Sequence, residues 1–174
     1  MKGNIIFFGG IHGVGKGTIC NNISKKYSIP HFSASEVLKW EEISEKSNKK
    51  VIDFDLTQER LINGLKKIVK PNHTYLLDGR FTLLDKDGKP KKISSDTFFK
   101  IQPIAIVVVT QNVEIILKRL KKRDNNKYDY QTLEKMQELE LNHSYTIANE
   151  MKIPFIRVSD NDDKQLHLFL NKQL

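Results

Sequence analysis

A glycine-rich segment near the start of the chain constrains the fold more than any other feature. Residues 6–18 read Ile-Phe-Phe-Gly-Gly-Ile-His-Gly-Val-Gly-Lys-Gly-Thr, with the spacing GxxxxGK from Gly10 to Lys16. An apolar strand pattern precedes the glycines and an amphipathic helix pattern follows them, the setting in which loop N–H groups and a helix N-terminus bind phosphate. The strict pattern has Ser or Thr after the lysine, whereas here Gly17 intervenes before Thr18. We predict a nucleotide phosphate-binding loop; the alternative is a glycine-rich turn with a chance lysine.

Length and composition fit one enzyme-sized domain, spanning 1–174. A chain of 174 residues can bury a full core. Cys20 is the single cysteine, which excludes an internal disulfide and predicts a small apolar residue packed on the first helix. The chain leads directly into the first strand, and no apolar run approaches the ~20 residues of a membrane span, so we expect a cytoplasmic protein without a signal peptide or membrane partner.

Strand and helix patterns alternate along the chain. The predicted strands are 4–8, 30–32, 74–77, 104–109 and 154–158, and the predicted helices are 15–27, 35–47, 57–70, 112–123, 131–151 and 162–171. Alternation of this kind predicts an α/β fold, a three-layer αβα P-loop NTPase fold with a central five-stranded parallel sheet. The long helical connection between the second and third strands predicts a small insertion, and the Asp-Gly turn in 85–90 predicts a projecting hairpin or loop.

An acidic residue ends the third predicted strand. Asp78 follows Tyr75-Leu-Leu and precedes a glycine. Carboxyl ends of parallel strands form the ligand-binding edge of an α/β sheet, so Asp78 is placed near the glycine-rich loop. Asp78 and Thr18 are therefore the candidate ligands of Mg²⁺, directly or through water. The alternative is that Asp-Gly only makes a turn.

Two arginines lie four residues apart on the helix after the fourth strand. Arg119 and Arg123 share one helical face. Phosphoryl transfer requires positive charge on the transferring group, and arginines near a phosphate loop can supply it. The alternative is a solvated basic helix end, which complements the helix dipole. The residues alone do not separate these two interpretations.

Other polar residues are less informative. Arg80 follows the magnesium candidate and could contact a substrate phosphate or carboxylate, with a surface ion pair as the alternative. His31 and His143 have no cysteine or carboxylate at metal-ligand spacing along the chain, which favours core or surface roles. The net charge of +8 comes from short, scattered basic patches, and nothing resembles a dedicated nucleic-acid module.

Taken together, these motifs resemble those of adenylate kinase and related nucleoside monophosphate kinases along most of the chain. The loop 10–18 is similar to that family's loop, which also has glycine after the lysine. Residues 29–39, Ile-Pro-His-Phe-Ser-Ala-Ser-Glu-Val-Leu-Lys, resemble the stretch that opens the family's monophosphate-binding region. Asp78-Gly79 resembles the start of Asp-Gly-Phe-Pro-Arg, and 114–123 resembles the helix with donor-site arginines. Beyond Leu76 the chain looks closer to the archaeal type of adenylate kinase.

The resemblance implies a role for each matching residue. The nucleotide-binding set would be Gly10, His12, Gly13, Val14, Gly15, Lys16, Gly17, Thr18 and Arg119, and the acceptor-binding set would be Ser33, Ala34, Lys39 and Arg80. Lys16, Arg119 and Arg123 would form the catalytic set, with Arg123 neutralising the transferring phosphoryl. The insertion, about 31–70, would bind the monophosphate, and about 122–131 would form a short lid over the core, 1–30 and 71–174. The lid sequence has no cysteines, which excludes a zinc-bearing lid.

Departures from the family pattern concentrate on the acceptor side. Ala34 stands where the family has Thr, and Lys39 replaces an arginine that would bind phosphate through two nitrogens. Arg80 comes earlier than the arginine of Asp-Gly-Phe-Pro-Arg, and no proline precedes it. On the donor side, His12 stands where the family commonly has Pro.

The sequence therefore predicts an ATP- and Mg²⁺-dependent phosphotransferase of the nucleoside monophosphate kinase type, with AMP as the favoured acceptor. One alternative is a P-loop kinase for another small acceptor. A second is a nucleotide-binding ATPase or switch that acts on a partner. We expect a monomer or a small homo-oligomer.

Overall fold

The computed structural model describes residues 3–38, 54–84, 89–123, 128–159 and 162–174, with only the backbone described at 54 and 55. Several predicted features lie wholly or partly outside these ranges. They are Lys39, the rest of the insertion up to residue 53, the turn at 87–88 and the lid residues 124–127. The division into core, insertion and lid therefore stays a prediction.

A five-stranded parallel sheet forms the centre of the fold. Its strands are β1 (Asn4–Gly9), β2 (His31–Ser33), β3 (Thr74–Asp78), β6 (Pro103–Val109) and β7 (Phe155–Val158), in the order β2-β3-β1-β6-β7. β1 pairs with β3 on one side and β6 on the other, with Phe8 opposite Asp78 and Val107. The predicted fold class and all five predicted strands are confirmed, each end within one residue of its expected position.

Helices cover both faces of this sheet. They are α1 (Lys16–Tyr27), α2 (from 34 to 38, where the described range stops), α3 (Phe54–Ile68), α4 (Ser95–Ile101), α5 (Val113–Arg123), α6 (Tyr130–Met151) and α7 (Asp163–Leu170). The short helix α4 is not among the predicted elements. Among the described helices, no one combines the length and apolar character that a membrane crossing needs.

The strands are apolar on both faces because the sheet divides the core in two. In β1, Ile6 and Phe8 pack into one apolar cluster with α1, α5 and α7, while Ile5 and Phe7 pack into the other with α3, α4 and α6. All four side chains are at most 2% exposed. Burial on both faces is the usual state of parallel sheets, and it fixes β1 and therefore the loop that follows it.

Beyond β3, a small antiparallel hairpin leaves the sheet. β4 (Thr82–Leu84) pairs with β5 (Pro90–Lys92), with Thr82 opposite Lys92. The expected hairpin is thus confirmed in its two arms. Its base is anchored on α6, because the ring Nε2 of buried His143 lies 2.7 Å from the carbonyl oxygen of Ile93. The hairpin consequently stands next to the carboxyl edge of the sheet.

Candidate active site

The glycine-rich loop connects β1 directly to α1, as predicted. Gly10, Gly13 and Gly15 have φ of 143°, 83° and 105°, values that side chains other than glycine rarely adopt. A Cβ at Gly10 would also lie 2.6 Å from the carbonyl oxygen of Val109. Gly15 is the N-cap of α1, so the loop residues lead straight into the helix N-terminus. This backbone can present N–H groups to an anion.

Lys16 is a buried cation at the floor of the loop. Lys16 is only 8% exposed, and its Nζ donates hydrogen bonds to the carbonyl oxygens of Gly10 at 2.6 Å and Ile11 at 3.2 Å. Burial lowers the pKa of the ammonium, while the nearby carboxylates of Asp78 and Glu140 act in the opposite direction. The charge of Lys16 is therefore held close to the loop backbone, where phosphate oxygens would lie.

A buried carboxylate fixes the loop from the opposite side. Glu140, on α6, is 1% exposed. Its Oε1 accepts hydrogen bonds from the N–H groups of Gly10 and Phe81, each at 2.8 Å, and its Oε2 accepts one from Oγ1 of Thr82 at 2.6 Å. This single side chain thus joins the phosphate loop, the start of the hairpin and α6.

Asp78 lies at the carboxyl end of β3, beside the start of α1. Its Oδ2 is 3.9 Å from the position that a Cβ on Gly17 would take, and 3.5 Å from Nε2 of His31. Thr18 is exposed in the first turn of α1. Both predicted magnesium ligands therefore border the same cleft, and carboxylate and hydroxyl oxygens suit that ion.

The predicted donor-site arginines both lie on α5, next to the loop. Nη1 of Arg119 donates to the carbonyl oxygen of Val14 at 2.9 Å, and at 3.4 Å to that of Gly13. Arg123, at the end of α5, is exposed and also lines the cleft. The hydrogen bonds to the loop backbone favour a role for Arg119 at the phosphate loop over a solvated helix end.

Arg80 lies against the loop rather than far from it. Its Nη2 is 2.8 Å from Nδ1 of His12, and since a guanidinium can only donate, Nδ1 is the acceptor. Burial lowers the pKa of Arg80, and the charges of Glu140 and Asp78 oppose that shift. Arg80, predicted to bind the acceptor, therefore contacts the phosphate loop and lines the cleft.

The charged groups and the hydroxyl described above, except Glu140 and His31, line one cleft of about 580 Å³; they are Lys16, Thr18, Asp78, Arg80, Arg119 and Arg123. Its far end is mostly apolar, formed by the side chains of Leu38, Leu61, Leu83, Ile93, Phe98 and Ile101. Three hydroxyl or amide residues interrupt that surface: Thr57, Gln58 and Thr97. Gln58 is 9% and Thr97 is 5% exposed, so both are largely buried parts of the cleft wall.

Among the predicted acceptor residues, Ser33 and Ala34 line this cleft with Arg80. Lys39 lies outside the described residues. Sequence reasoning missed Glu140, Gln58 and Thr97, which come from parts of α6, α3 and α4 that carry no motif. Of these three, only Glu140 had a usable signal in the sequence. It is an acidic residue within the apolar face of α6, and a buried charge requires partners.

The parallel sheet, the loop and the buried lysine together define a nucleotide-binding P-loop protein with the fold of small kinases. Its sequence matches the family model AAA_17, described as an AAA domain, over residues 9–137. The chain belongs to this family.

Similar proteins include curated kinases and solved kinase structures. Adenylate kinase isoenzyme 1 of Rattus norvegicus is 30% identical over 134 residues, which cover 70% of this chain and 65% of that protein. Adenylate kinase of Listeria innocua is 25% identical over 64% of this chain and 55% of its own length. The chain thus spans about two thirds or less of these curated relatives.

Two solved structures share the fold over nearly the whole chain. A gluconokinase from Sinorhizobium meliloti 1021 has a TM-score of 0.56 with 13% identity, covering 99% of this chain and 91% of its own. Shikimate kinase from Aquifex aeolicus has a TM-score of 0.54 with 18% identity, covering 97% and 96%. At such identities the likeness concerns the fold alone.

Proposed function

We propose that this protein transfers the γ-phosphoryl group of Mg·ATP to a small acceptor, and that the acceptor is a nucleoside monophosphate, with AMP favoured. The observation that carries the proposal is that buried Lys16, together with Asp78 and Arg80, lines one cleft that also has an apolar wall. The two curated relatives described above are adenylate kinases, which supports the same reaction.

The donor phosphates fit the loop side of the cleft. N–H groups of the loop and the ammonium of Lys16 would bind the β- and γ-phosphates, and Arg119 would hold the loop through Val14 while facing the same anion. Arg123 and Arg80 flank the space between donor and acceptor. Their guanidiniums can neutralise charge on the phosphoryl group as it transfers.

Asp78 and Thr18 have the oxygen donors that would hold the magnesium ion of Mg·ATP. The ion would supply charge neutralisation on the transferring phosphates. We expect no covalent enzyme intermediate, because catalysis by positioning and positive charge is sufficient for this reaction.

The apolar end of the cleft suits a flat nucleobase. Leu61 and Phe98 offer apolar surface, while the amide of Gln58 and the hydroxyl of Thr97 offer donors and acceptors to the edge of a base. Leaving such buried polar groups unpaired would be costly, so they would discriminate strongly between acceptors. Arg80, which lines the same cleft, would bind the acceptor phosphate.

A second candidate is the same transfer to a small hydroxyl metabolite. The observation that favours it is the altered acceptor side, where Ala34 lines the cleft in place of the family's threonine. The named activities of the structural neighbours, a gluconokinase and a shikimate kinase, show that their shared fold serves such acceptors too. A partner-directed ATPase is the remaining alternative.

A coupled assay of ADP release from Mg·ATP tests the proposal, run with each nucleoside monophosphate and with none. We expect a rate that depends strongly on one monophosphate and is absent in Lys16→Ala. Lys25→Ala is the matched control, since Lys25 is an exposed lysine on the same helix. A slow rate that no monophosphate changes would contradict the monophosphate assignment, and a wild-type rate in folded Lys16→Ala would contradict the loop chemistry.

Gln58→Leu separately tests whether the apolar end of the cleft binds the acceptor. We expect a higher KM for the monophosphate with ATP binding unchanged, because the change removes a polar group from the wall that we propose binds the acceptor base. Glu59→Gln, at an exposed neighbouring position on α3, is the control. An unchanged KM in Gln58→Leu would place the acceptor base elsewhere.

A further inference from the structure

Three potential metal ligands meet behind the phosphate loop. Cys20 comes from α1, His31 is the first residue of β2, and Asp78 is the last residue of β3. Their ligand atoms, the thiol Sγ, one ring nitrogen and one carboxylate oxygen, all lie within 4.8 Å of one another. These residues are far apart along the chain, so no metal-ligand spacing in the sequence links them, and only the fold brings them together.

The ring of His31 is oriented as a ligand would be. Its Nδ1 lies 3.1 Å from Oδ1 of Asn21 and, as the donor there, leaves a bare lone pair on Nε2. A second-sphere oxygen on the opposite ring nitrogen is the usual arrangement of metal-binding histidines. Asn21 follows Cys20 directly in α1, so one helix turn supplies both a ligand and its support.

Nε2 of His31 is buried in an unfavourable position unless a cation is present. In the described part of the chain this atom is buried and has no hydrogen-bond partner. It lies 3.5 Å from Oδ2 of Asp78, close enough for one cation to contact both atoms. Burying a polar atom without a partner is costly. A positive charge shared by the two atoms removes that cost.

The donor set selects the kind of cation. A thiolate, an imidazole and a carboxylate together favour Zn²⁺ and its analogues, whereas Mg²⁺ prefers oxygen donors in an octahedron. Zn²⁺ bonds of about 2.0–2.3 Å put tetrahedral ligand atoms about 3.5 Å apart. His31 and Asp78 already have this separation. Cys20 is fully buried, and its Sγ lies within 4.8 Å of both other ligand atoms.

We propose that Cys20, His31 and Asp78 form a binding site for a thiophilic divalent cation of the zinc type, which inhibits the enzyme by withdrawing Asp78 from magnesium. The thiol gives up its proton to solvent when the metal–sulfur bond forms, and Asp78 is the one of the three ligands that lines the cleft. Cation binding stands on the three ligands alone. The inhibition rests on the proposed function, in which Asp78 serves Mg·ATP.

Binding is measured first, on metal-free full-length protein without nucleotide, using Co²⁺ as the spectroscopic probe. We expect one equivalent to produce a thiolate-to-cobalt charge-transfer band, which Zn²⁺ then displaces. Cys20 is the single cysteine of the chain, so this band identifies its ligand without ambiguity. A folded protein that binds Co²⁺ without such a band, or does not bind it, overturns the proposal.

Variants assign the other ligand and its support. Competition with a chromophoric chelator should show Zn²⁺ affinity reduced by about 10- to 100-fold in Asn21→Ala, as for loss of an outer-sphere partner, and by more in Cys20→Ala and His31→Gln. His73→Gln is the control, because His73 is an exposed histidine away from the site. Circular dichroism verifies that each variant folds. Equal affinity in the wild type and folded Cys20→Ala overturns the proposal.

Inhibition is measured separately in the coupled assay. Zn²⁺ should inhibit the wild type and lose potency in Cys20→Ala, and added Mg²⁺ should weaken the effect. Equal inhibition of both proteins contradicts the inhibitory role. A protein with the cobalt band but without any kinase activity would retain the metal site and reject the proposed function, so the two failures are distinguishable.

Discussion

Replacement of Glu140 tests how the phosphate loop is held in its binding conformation. In Glu140→Ala, two backbone N–H groups and the hydroxyl of Thr82 lose their acceptor in a site that is almost fully buried. An unsatisfied buried donor costs about 1–3 kcal/mol, and loss of one member of a buried charged network costs about 3–5 kcal/mol. We expect a loss of about 3–5 kcal/mol in the free energy of unfolding.

Glu140→Gln separates the charge of the side chain from its shape. The amide oxygen can still accept from both N–H groups, and the amide nitrogen can donate to Oγ1 of Thr82, whose own hydrogen must then turn elsewhere. Hydrogen bonds to a charged acceptor are stronger than neutral ones by about 1 kcal/mol. We expect Glu140→Gln to lose about 1–2 kcal/mol and to keep the loop conformation.

Urea unfolding, followed by circular dichroism, measures the stability of both variants. Titration calorimetry with Mg·ADP measures nucleotide binding, which should weaken in Glu140→Ala because the N–H of Gly10 is no longer held. Glu138→Ala and Glu138→Gln are the matched controls, since Glu138 is exposed on the same helix. Most exposed substitutions stay within about 0.5 kcal/mol of the wild type.

The reasoning is refuted if Glu140→Ala unfolds with the same free energy as Glu138→Ala. It is also refuted in part if stability falls as expected while the affinity for Mg·ADP is unchanged. That result would mean that α1 and β1 hold the loop by themselves and that Glu140 serves only the hairpin.

Other predictions concern single groups of the site and the fold. Arg123→Ala should lower kcat far more than it weakens ATP binding, whereas Arg119→Ala should weaken ATP binding because its contact with the loop is lost; equal losses in both constants would limit Arg123 to ground-state binding. Burial raises the pKa of the Cys20 thiol, so alkylation should be slow in the folded protein and fast in urea, and rapid labelling without urea would contradict its burial. Hydrogen bonds from the start of α6 lower the pKa of Asp129 from its ordinary value of 3.8. The difference in free energy of unfolding between the wild type and Asp129→Ala should therefore be complete above pH 3.8, and it should disappear as the pH falls through the lower pKa of the folded protein. A difference that persists in strong acid would contradict this cap.

The sheet and the phosphate loop could be predicted because their signals are local. Apolar runs such as 104–109 are long enough to mark buried strands, and Gly13 and Gly15 are required by the backbone of the loop itself. Asp78 was found in the same way, since the end of a parallel strand has a fixed place in the fold. Each of these inferences depends on a short stretch of chain and on a rule of topology.

Contacts between distant segments could not be predicted in this way. The position of Glu140 within the apolar face of α6 indicates that its carboxylate needs partners, but the sequence does not show that the N–H of Gly10 is one of them. Cys20 reads as a small apolar residue, which its burial confirms, but nothing in its spacing brings His31 beside it. The helix α4 was missed because its few residues contain less than two full helical periods.

The hydrogen bond between Glu140 and the phosphate loop has a consequence for the order in which the protein acquires its binding site during synthesis. Gly10 and Glu140 are 130 positions apart, so the loop emerges from the ribosome long before its acceptor does. Closing a segment of this length has an entropic cost that only the packing of α6 on the finished sheet can offset. A nascent chain that ends before α6 therefore carries every residue of the phosphate-binding motif without the contact that holds it. Nucleotide binding therefore becomes possible only late in folding, and its onset indicates that α6 has packed on the sheet.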